Sequence, residues 1–584
     1  MILLKPIHST ERCFYDENIA DKAPLTAMTV LRGGQCSFQF ACTADTAPGW
    51  SNAHPVQWSL DCALPWTLSS VELMPVREPI FQWKLGEPYL RTTPGLYPDL
   101  LRRLTPDKPY HVPYGNLTSL FCVLDIPEHT APGVYPVTLT FTQNDAICAQ
   151  AVVEVTVLPA VLPKQTLTVT QWFHCDCLAS LYEVEIFSEE HWAIIENYVR
   201  LAVKTGTNAI TTPVFTPPMD TEAGRERPTV QLVDIRRDKD GWHFGFDRLE
   251  RWVEMCNRCG AEYFEVSHLF YARCDLIVPK IMATIVDEDG TEVYKWAFPW
   301  NTDPRCDEYR DFIRAFLKAF LAKMKSFDGA DKRCLFHISD EPFLNRIDIY
   351  RKLLSHVEDL IAGYRRIDAI SDLEFYTEGL INVPIPETMS IEPFLEADIP
   401  ELWTYYCCDT TEGTSNRFFS MSGDRIRVLG AQLWRHRIQG FLHWGFNFWY
   451  SNGSREVVNP YFITEGNYFG PAGDAFLVYP GKKGQPAESI RLHYFAESLQ
   501  DVRALQLAEQ LCGRDVVMAL VDSEGPLTFR TCPEGPQYCH NLRQKVNELI
   551  AQHLGCGRRV ASEIGQDCRR RCLPGNLPVK KERI

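Results

Sequence analysis

The feature that most constrains this chain is a change of rhythm at Leu167. From there to about residue 511, short apolar runs alternate with segments of helical period. Short apolar runs bounded by turn signals fit strands buried on both faces of a parallel sheet, and parallel strands need crossover helices between them. Leu167 to Trp172, Asn208 to Phe215, Ala261 to Phe270 and Cys334 to Ser339 read as the first four strands. Arg366 to Ile370 is a weaker fifth, Leu402 to Cys407 the sixth, Gly440 to Tyr450 the seventh and Asp474 to Tyr479 the eighth. The intervening helices carry their own marks. Ser188 is an N-cap, Glu189 and Glu190 fill the first turn, and Phe187 and Trp192 stand as a hydrophobic staple. Tyr309, Phe312, Ile313, Phe316, Leu317, Phe320 and Leu321 form one face of another helix, a core stripe. Further helices are expected from Asp247 and over Arg425 to Gln439, and a long loop follows the second strand. Eight such units over residues 163–511 predict a (β/α)8 barrel of TIM type.

Residues 1–162 keep a different period. Val137, Leu139 and Phe141 alternate with threonines, and Val153, Val155 and Val157 alternate with Glu154 and Thr156. Period two predicts half-buried strands, here an N-terminal β-sandwich domain. Residues 512–555 read as a small C-terminal appendage ending in a helix near Asn541 to His553. Residues 556–584, rich in Arg, Lys, Gly and Pro, read as a disordered basic tail.

A net charge of −16 over 584 residues argues against a nucleic-acid partner. No run approaches a membrane span, and the first ten residues hold no signal-peptide core. The 21 scattered cysteines fit a reducing cytoplasm. Cys256 and Cys259 form a C-x-x-C with no second pair, so they read as structural thiols and no metal or organic cofactor is implied.

The chemistry concentrates between Lys332 and Phe343. With 75 acidic residues, about ten adjacent acidic pairs arise by chance, so adjacency alone means little. Asp287-Glu288 runs into Asp289-Gly290, a turn signal, and Asp307-Glu308 opens a helix, where negative charge favours the macrodipole. Asp340-Glu341 differs, because it follows an apolar strand and precedes Pro342. Chemistry in barrels sits at the C-terminal ends of strands. Pro342 biases Glu341 away from right-handed helical geometry. A regular strand would point the two carboxyls to opposite faces, but a strand end can bring both to one pocket. Two carboxyls there can divide acid and orienting roles between them.

The sequence resembles glycoside hydrolase family 123 and the wider group of bacterial proteins sharing its catalytic domain. The resemblance rests on Gln171 through Asp176, on Tyr263-Phe264-Glu265 with Ser267 through Phe270, and on His337 through Pro342. It continues through Leu402 to Cys407, Gly440 to Phe448, Gly473 to Gly481 and Ser489-Ile490-Arg491. It implies a β-sandwich followed by a (β/α)8 barrel, and retaining hydrolysis of β-N-acetylhexosaminides, typically N-acetylgalactosaminides. It further implies that the substrate's 2-acetamido oxygen is the nucleophile. Asp340 would orient that group, and Glu341 would act as acid and then base. The partner is then an oligosaccharide or glycoside. Tyr405 and Tyr406 are candidate donors to the acetamido carbonyl. Trp434, Trp444 and Trp449 are candidate stacking faces. His174, Asp176, His268, His443 and Asn447 are candidate hydroxyl ligands. Core packing is the competing role for the tryptophans, and Arg227 is a loop candidate with a surface ion pair as its alternative. Tyr271-Ala272-Arg273-Cys274 departs from the group's pattern, which bears on specificity beyond the first sugar. Two other readings stand beside this one: a glycosidase for another sugar, and a carbohydrate-binding protein on a degenerate barrel.

Overall fold

The computed structural model describes residues 1–555 apart from positions 50, 85, 223–224, 273–275, 300, 409, 412 and 534–536. The expected basic tail and the Arg273-Cys274 departure lie outside the described residues. The N-terminal part is two five-stranded sheets. One orders Ile2–His8, Gly34–Ala44, Thr118–Ile126, Trp66–Val76 and Gly95–Arg103. The other orders Ala27–Arg32, Ala146–Val161, Gly133–Gln143, Ala53–Asp61 and Tyr110–Pro113. The threonine-alternating residues face inward as their period demands. Val137, Leu139, Phe141, Val153, Val155 and Val157 share one core with Phe38, Phe40, Leu120 and Leu124 of the other sheet. Asn144 and Asp145 both take positive φ (53° and 60°) in the two-residue hairpin that sets the register Gln143↔Ala146.

The second part is an eight-stranded parallel sheet, nearly closed. Its strands are β1 Thr168–Gln171, β2 Ala209–Thr212, β3 Tyr263–Val266, β4 Cys334–Phe336, β5 Arg365–Ile370, β6 Val383–Pro386, β7 Trp403–Tyr405 and β8 Gly440–His443. They are hydrogen-bonded in the order β6-β5-β4-β3-β2-β1-β8-β7. The seam between β6 and β7 is held by a Glu387–Tyr405 bridge, by Thr388 N–H to Tyr405 O (2.9 Å), and by Thr404 Oγ1 to Pro386 O (2.8 Å). Pro384 and Pro386 carry no N–H, so β6 is poor in ladder donors, as suits an edge strand.

That chemistry explains a miscount in the sequence reading. The expected sixth and seventh strands are β7 and β8. The true sixth is the proline-bearing β6, which the prolines disguised. The expected eighth, Asp474 to Tyr479, is not in this sheet: only Val478–Pro480 is extended, paired with Pro486–Glu488 in a two-stranded hairpin. The long loop expected after β2 also contains structure. Asp234–Asp238 and Gly241–Gly245 from that loop join Ile281–Val286 and Glu292–Phe298, which follow β3, in a four-stranded sheet. Its strands are largely exposed and so lack a clean hydrophobic period. Arg425 to Gln439 is two short helices, Gly423–Arg427 and Leu429–Arg435.

The helix marks behave as their chemistry requires. Ser188 accepts from His191 N–H (3.2 Å) at the start of Glu189–Lys204, and Phe187 stacks on Trp192 at 5.2 Å. The aromatic stripe lies on Asp307–Ser326 and is buried. After the barrel, the long helix Ile490–Cys512 is followed by Arg514–Val521 and Tyr538–His553. The last of these returns to the N-terminal sheet, where Gln544 and Asn547 bond Thr29.

Pairing of β7 with β8 depends on one missing side chain. A Cβ at Gly440 would meet the Trp403 ring at 2.1 Å. Gly440→Ala is expected to cost about 1–3 kcal/mol through overpacking. Chemical denaturation should show a lower midpoint than for Gly513→Ala, where a Cβ meets nothing within 4 Å but takes φ +85°; equal shifts at the two sites would remove the packing explanation.

Candidate active site

Strand β4 ends at Phe336, three residues earlier than its apolar run suggests. Residues 337–339 continue in extended contact with the β3 loop: Leu269 N–H reaches His337 O (3.4 Å), Phe270 N–H reaches Ile338 O (3.1 Å), and Ala272 N–H reaches Ser339 Oγ (2.8 Å). Asp340 follows, 9% exposed. Glu341 is half-buried and has φ +40°, the left-handed region. Asp340 and Glu341 both lie at bends beyond the strand, where its side-to-side alternation no longer applies. Tyr405, the last residue of β7, donates its hydroxyl to Glu341 Oε1. Glu387, after β6, stands beside Tyr405 and accepts from Thr410 Oγ1. Burial first, then the charges of Glu341 and its neighbours, push the Tyr405 hydroxyl far above its ordinary value, so it stays a donor.

Beneath the Asp-Glu turn lies a buried polar line. His337 donates from Nε2 to Glu265 Oε1 (2.6 Å) and points Nδ1 at Asp368 Oδ1 (3.4 Å). Glu265 also accepts from Trp172 Nε1 (2.8 Å) and from Thr170 Oγ1. Asp368 Oδ2 accepts from Ser339 N–H (3.1 Å) and from Tyr350 OH (2.5 Å). Burial opposes charge on His337, but hydrogen bonds and charge from Asp368 and Glu265 outweigh it and push its pKa up to about 9. Burial raises Asp368, with His337, Tyr350 and Ser339 pulling the other way. His268 stacks on His337 (4.1 Å, 23°) and packs edge-on to Trp172 (5.2 Å). Burial first, then the charge on His337, holds His268 far below the ordinary histidine value.

His268, His337 and Asp368 bring ligand-type atoms within 4.8 Å of one another. Metal binding needs imidazole lone pairs that converge in the ring planes. Here the two rings are nearly parallel, so their in-plane lone pairs run side by side. Within the group His337 is hydrogen-bonded to Asp368, while His268 stacks on His337 and its Nε2 has no hydrogen-bond partner among the described residues.

Several candidate ligands have structural work instead. Asp176 takes Arg227 bidentately (2.7 and 2.9 Å), and Arg227 Nη2 also reaches His174 Nδ1 (3.1 Å). Arg227 is buried, beneath Phe448 and Tyr450, so the surface ion pair expected for it is replaced by an interior one. Burial works to raise Asp176, but Arg227 outweighs burial and holds it below the usual range. Burial and Arg227 lower His174 to about 4, and its Nε2 donates to Trp444 O (2.9 Å). Asn447 exchanges two hydrogen bonds with the His174 backbone (2.9 and 3.0 Å). His443 and Tyr406 are fully buried. Trp444 donates to Asp474 Oδ2 (2.9 Å), and burial pushes Asp474 up to about 6 against Arg417 and this bond. Trp449 is buried with its Nε1 on Val478 O (3.3 Å). Trp434 packs with Ala431, Leu505 and Val517 among the C-terminal helices, under Arg514, and is not brought to the Asp-Glu turn. The structure thus gathers Asp340, Glu341, Tyr405 and, one layer down, His268. Asp368, under the Asp-Glu turn, and Glu387, beside Tyr405, were not singled out in the sequence. A carboxylate amid Ile367, Ala369 and Ile370 was the available sign for Asp368.

The eight-stranded sheet is parallel and nearly closed, and two adjacent carboxyls follow the C-terminal end of one of its strands. The model for the catalytic domain of glycoside hydrolase 123 matches residues 172–508. The chain belongs to glycoside hydrolase family 123, and it hydrolyses glycosidic bonds of a carbohydrate substrate. A solved family 123 glycoside hydrolase from Clostridium perfringens, studied for glycolipid glycan hydrolysis, shares the fold with TM-score 0.70 at 14% identity, covering 97% of this chain and 100% of that one. A Bacteroides ovatus family 5 xyloglucanase gives TM-score 0.28 at 9% identity over 81% of this chain and 98% of that one. A Bacteroides cellulosilyticus family 2 member gives 0.23 at 10% over 74% and 46%. Those two scores carry no argument. No curated protein sequence matches. Among the described residues, no helix is long and apolar enough to cross a membrane.

The Asp176–Arg227 pair makes a testable distinction. Arg227→Met is expected to cost about 3–5 kcal/mol, since it leaves a buried carboxylate unpaired. The folded pKa of Asp176 is depressed. Its stabilisation is therefore present above the ordinary carboxylate value of about 3.9 and lost as pH falls through the folded value. Urea melts across pH 3 to 7 should show the wild-type advantage shrinking only at the acid end. Unchanged stability with a raised KM would instead make Arg227 a substrate ligand.

Proposed function

We propose that this chain is a retaining β-N-acetylhexosaminidase, N-acetylgalactosaminidase-like, working by substrate-assisted catalysis on a (β/α)8 barrel of TIM type behind an N-terminal β-sandwich. We read residues 1–162 and 163–511 as these two domains, with 512–555 as an appendage, and take the cysteine usage to favour the cytoplasm. The observation that carries the activity is the Asp340-Glu341 turn, with Glu341 held by Tyr405. The glycolipid glycan hydrolysis reported for the Clostridium perfringens relative supports a glycan as the substrate class.

In the first step the acetamido oxygen attacks the anomeric carbon while the bond to the leaving oxygen breaks. Glu341 gives its proton to that oxygen. Asp340 faces the acetamido nitrogen, where positive charge develops as the oxazoline forms, and an anion there stabilises the transition state. In the second step the Glu341 carboxylate takes a proton from water as it opens the ring. Two inversions at one carbon leave the configuration retained. This route is among the exceptions to the two-carboxylate scheme. Tyr405 donates to Glu341 and holds it in place for both steps.

Glu341→Gln keeps the shape but has no acidic proton. It should fold normally and lose about 10²–10⁴-fold in rate on phenyl glycosides, and far less on dinitrophenyl glycosides, whose leaving group needs little protonation. Equal losses on both would argue against Glu341 as the acid.

The nucleophile has its own test. A 2-hydroxy β-galactoside should be cleaved far more slowly than the matched 2-acetamido sugar, and a thiazoline mimic of the cyclised intermediate should inhibit tightly. Asp340→Asn should lose rate through its missing charge. Similar rates on the two sugars, with no thiazoline inhibition, would move the chain to the reading of a glycosidase with another nucleophile.

A further inference from the structure

The segment bearing the two carboxyls leaves the sheet early and, apart from a 3-10 turn at Leu344–Arg346, stays off regular structure until Ile347. Ladder pairing of β4 ends at Phe336. The next regular α-helix is Ile347–Ser355. Between them Glu341 holds a left-handed φ, at a cost of order 1–3 kcal/mol that persists only where the surroundings over-determine it. One carboxylate oxygen touches both ends of this excursion. Asp368 Oδ2 takes the backbone N–H of Ser339, immediately before Asp340, and the hydroxyl of Tyr350, on the helix that follows the turn. Asp368 is itself fixed. It sits inside β5, fully buried, and its other oxygen faces His337, which Glu265 anchors from β3.

We infer that Asp368 is a positioning residue for the reaction: it staples the start and the end of the Asp340-Glu341 loop to the barrel wall and thereby sets where the acid stands. The inference rests on the proposed reading of Asp340 and Glu341, and Asp368 makes no contact with the sugar in it. His337 completes the device. Held between Asp368 and Glu265, it compensates the charge that makes Asp368 a strong acceptor. A neutral acceptor would hold the same two donors less firmly. A carboxylate within an apolar strand is expensive, and its cost is offset by the bonds from His337, Ser339 N–H and Tyr350 OH.

The consequence for rate follows from geometry. A displacement of about 1 Å at a catalytic group can cost about 10²-fold. A displaced acid hurts poor leaving groups more than activated ones, which simple loss of stability does not do.

The test uses the full chain and three variants, Asp368→Ala, Asp368→Asn and Tyr350→Phe, beside Glu341→Gln. Rates are read on phenyl and dinitrophenyl N-acetyl-β-galactosaminides. Asp368→Ala should lose about 10²-fold in kcat on the phenyl glycoside with KM nearly unchanged, and clearly less on the dinitrophenyl glycoside. Asp368→Asn keeps an acceptor and should recover much of the loss. Tyr350→Phe removes only the far end of the staple and should lose several-fold with the same leaving-group bias. Hydrogen exchange of the peptide spanning 337–346 should quicken in Asp368→Ala and Tyr350→Phe. Should Asp368→Ala fail to fold, the Asn and Phe variants make the same comparison. Unchanged kcat, equal losses on both leaving groups, or unchanged exchange in the folded variants would each overturn the inference. If Glu341→Gln is inactive while these variants keep full activity, the staple alone fails. If Glu341→Gln keeps full activity, or the wild type cleaves neither glycoside, the reading of the site fails, and the exchange data still decide the staple.

Discussion

The structure depends on one buried carboxylate that belongs to neither the barrel nor its mouth. Asp99, in the strand Gly95–Arg103 of the N-terminal sheet, is fully buried and receives Arg491 bidentately at 2.7 and 3.0 Å. Tyr479 OH adds a third bond at 2.6 Å. Arg491 stands in the first turn of the helix Ile490–Cys512, the end where the macrodipole disfavours a cation. Only a strong local anion makes that position tenable. The guanidinium spends its remaining donors on Gly473 O and Phe476 O (2.6 and 2.9 Å). The loop so fixed holds Trp444 through Asp474 and bridges Asn447 at Phe476, and Asn447 in turn grips the His174 backbone. The N-terminal sheets therefore brace the barrel's C-terminal loops. Breaking one partner of such a pair costs about 3–5 kcal/mol, so the two parts are one stable unit in energetic terms.

Near β1 and β8 the buried charges are balanced: Arg227 pairs with Asp176, and Arg417 lies beside Asp474 and bonds the backbone carbonyls of Gly445 and Asp474. Under β3, β4 and β5, carboxylates dominate, with His337 between Glu265 and Asp368. The acid-rich side is the side that carries Asp340 and Glu341. An excess of negative charge in a dry interior suits a site where positive charge develops on the sugar during cleavage.

How much of this was legible in the sequence follows from what each signal measures. Hydrophobic period located the barrel strands β1 to β5, because each is buried on both faces. It failed at β6, where Pro384 and Pro386 imitate a loop, and it promoted Asp474 to Tyr479, an apolar run buried by loop packing and by Arg491. The Asp340-Glu341 turn was readable because strand, acid pair and proline follow one another in sequence. Asp368 was not, since its partners Ser339 and Tyr350 are 29 and 18 residues away in sequence and meet only across the sheet. For the same reason His174, Asp176 and Arg227 looked like ligands: a polar residue at a strand end reads alike whether it faces a sugar or another residue of the wall.

The turn itself shows why the acid pair needs this context. Two neighbouring carboxyls on a regular strand diverge, so bringing both to one mouth requires a residue out of register. Glycine takes φ near +40° at least cost but has no carboxyl. Glu341 must therefore accept the strain, and the chain has to remove its easier alternatives. Pro342 disfavours the right-handed helical basin for the residue before it. Phe336 and the backbone contacts of residues 337–339 hold the strand up to the turn. Tyr405 then fixes the side chain that emerges. Each of these acts on a different degree of freedom: the basin, the point of departure and the rotamer. Strain at Glu341 persists because all three are constrained at once, and the placement of a single carboxyl group draws on strands β3, β4, β5 and β7 together.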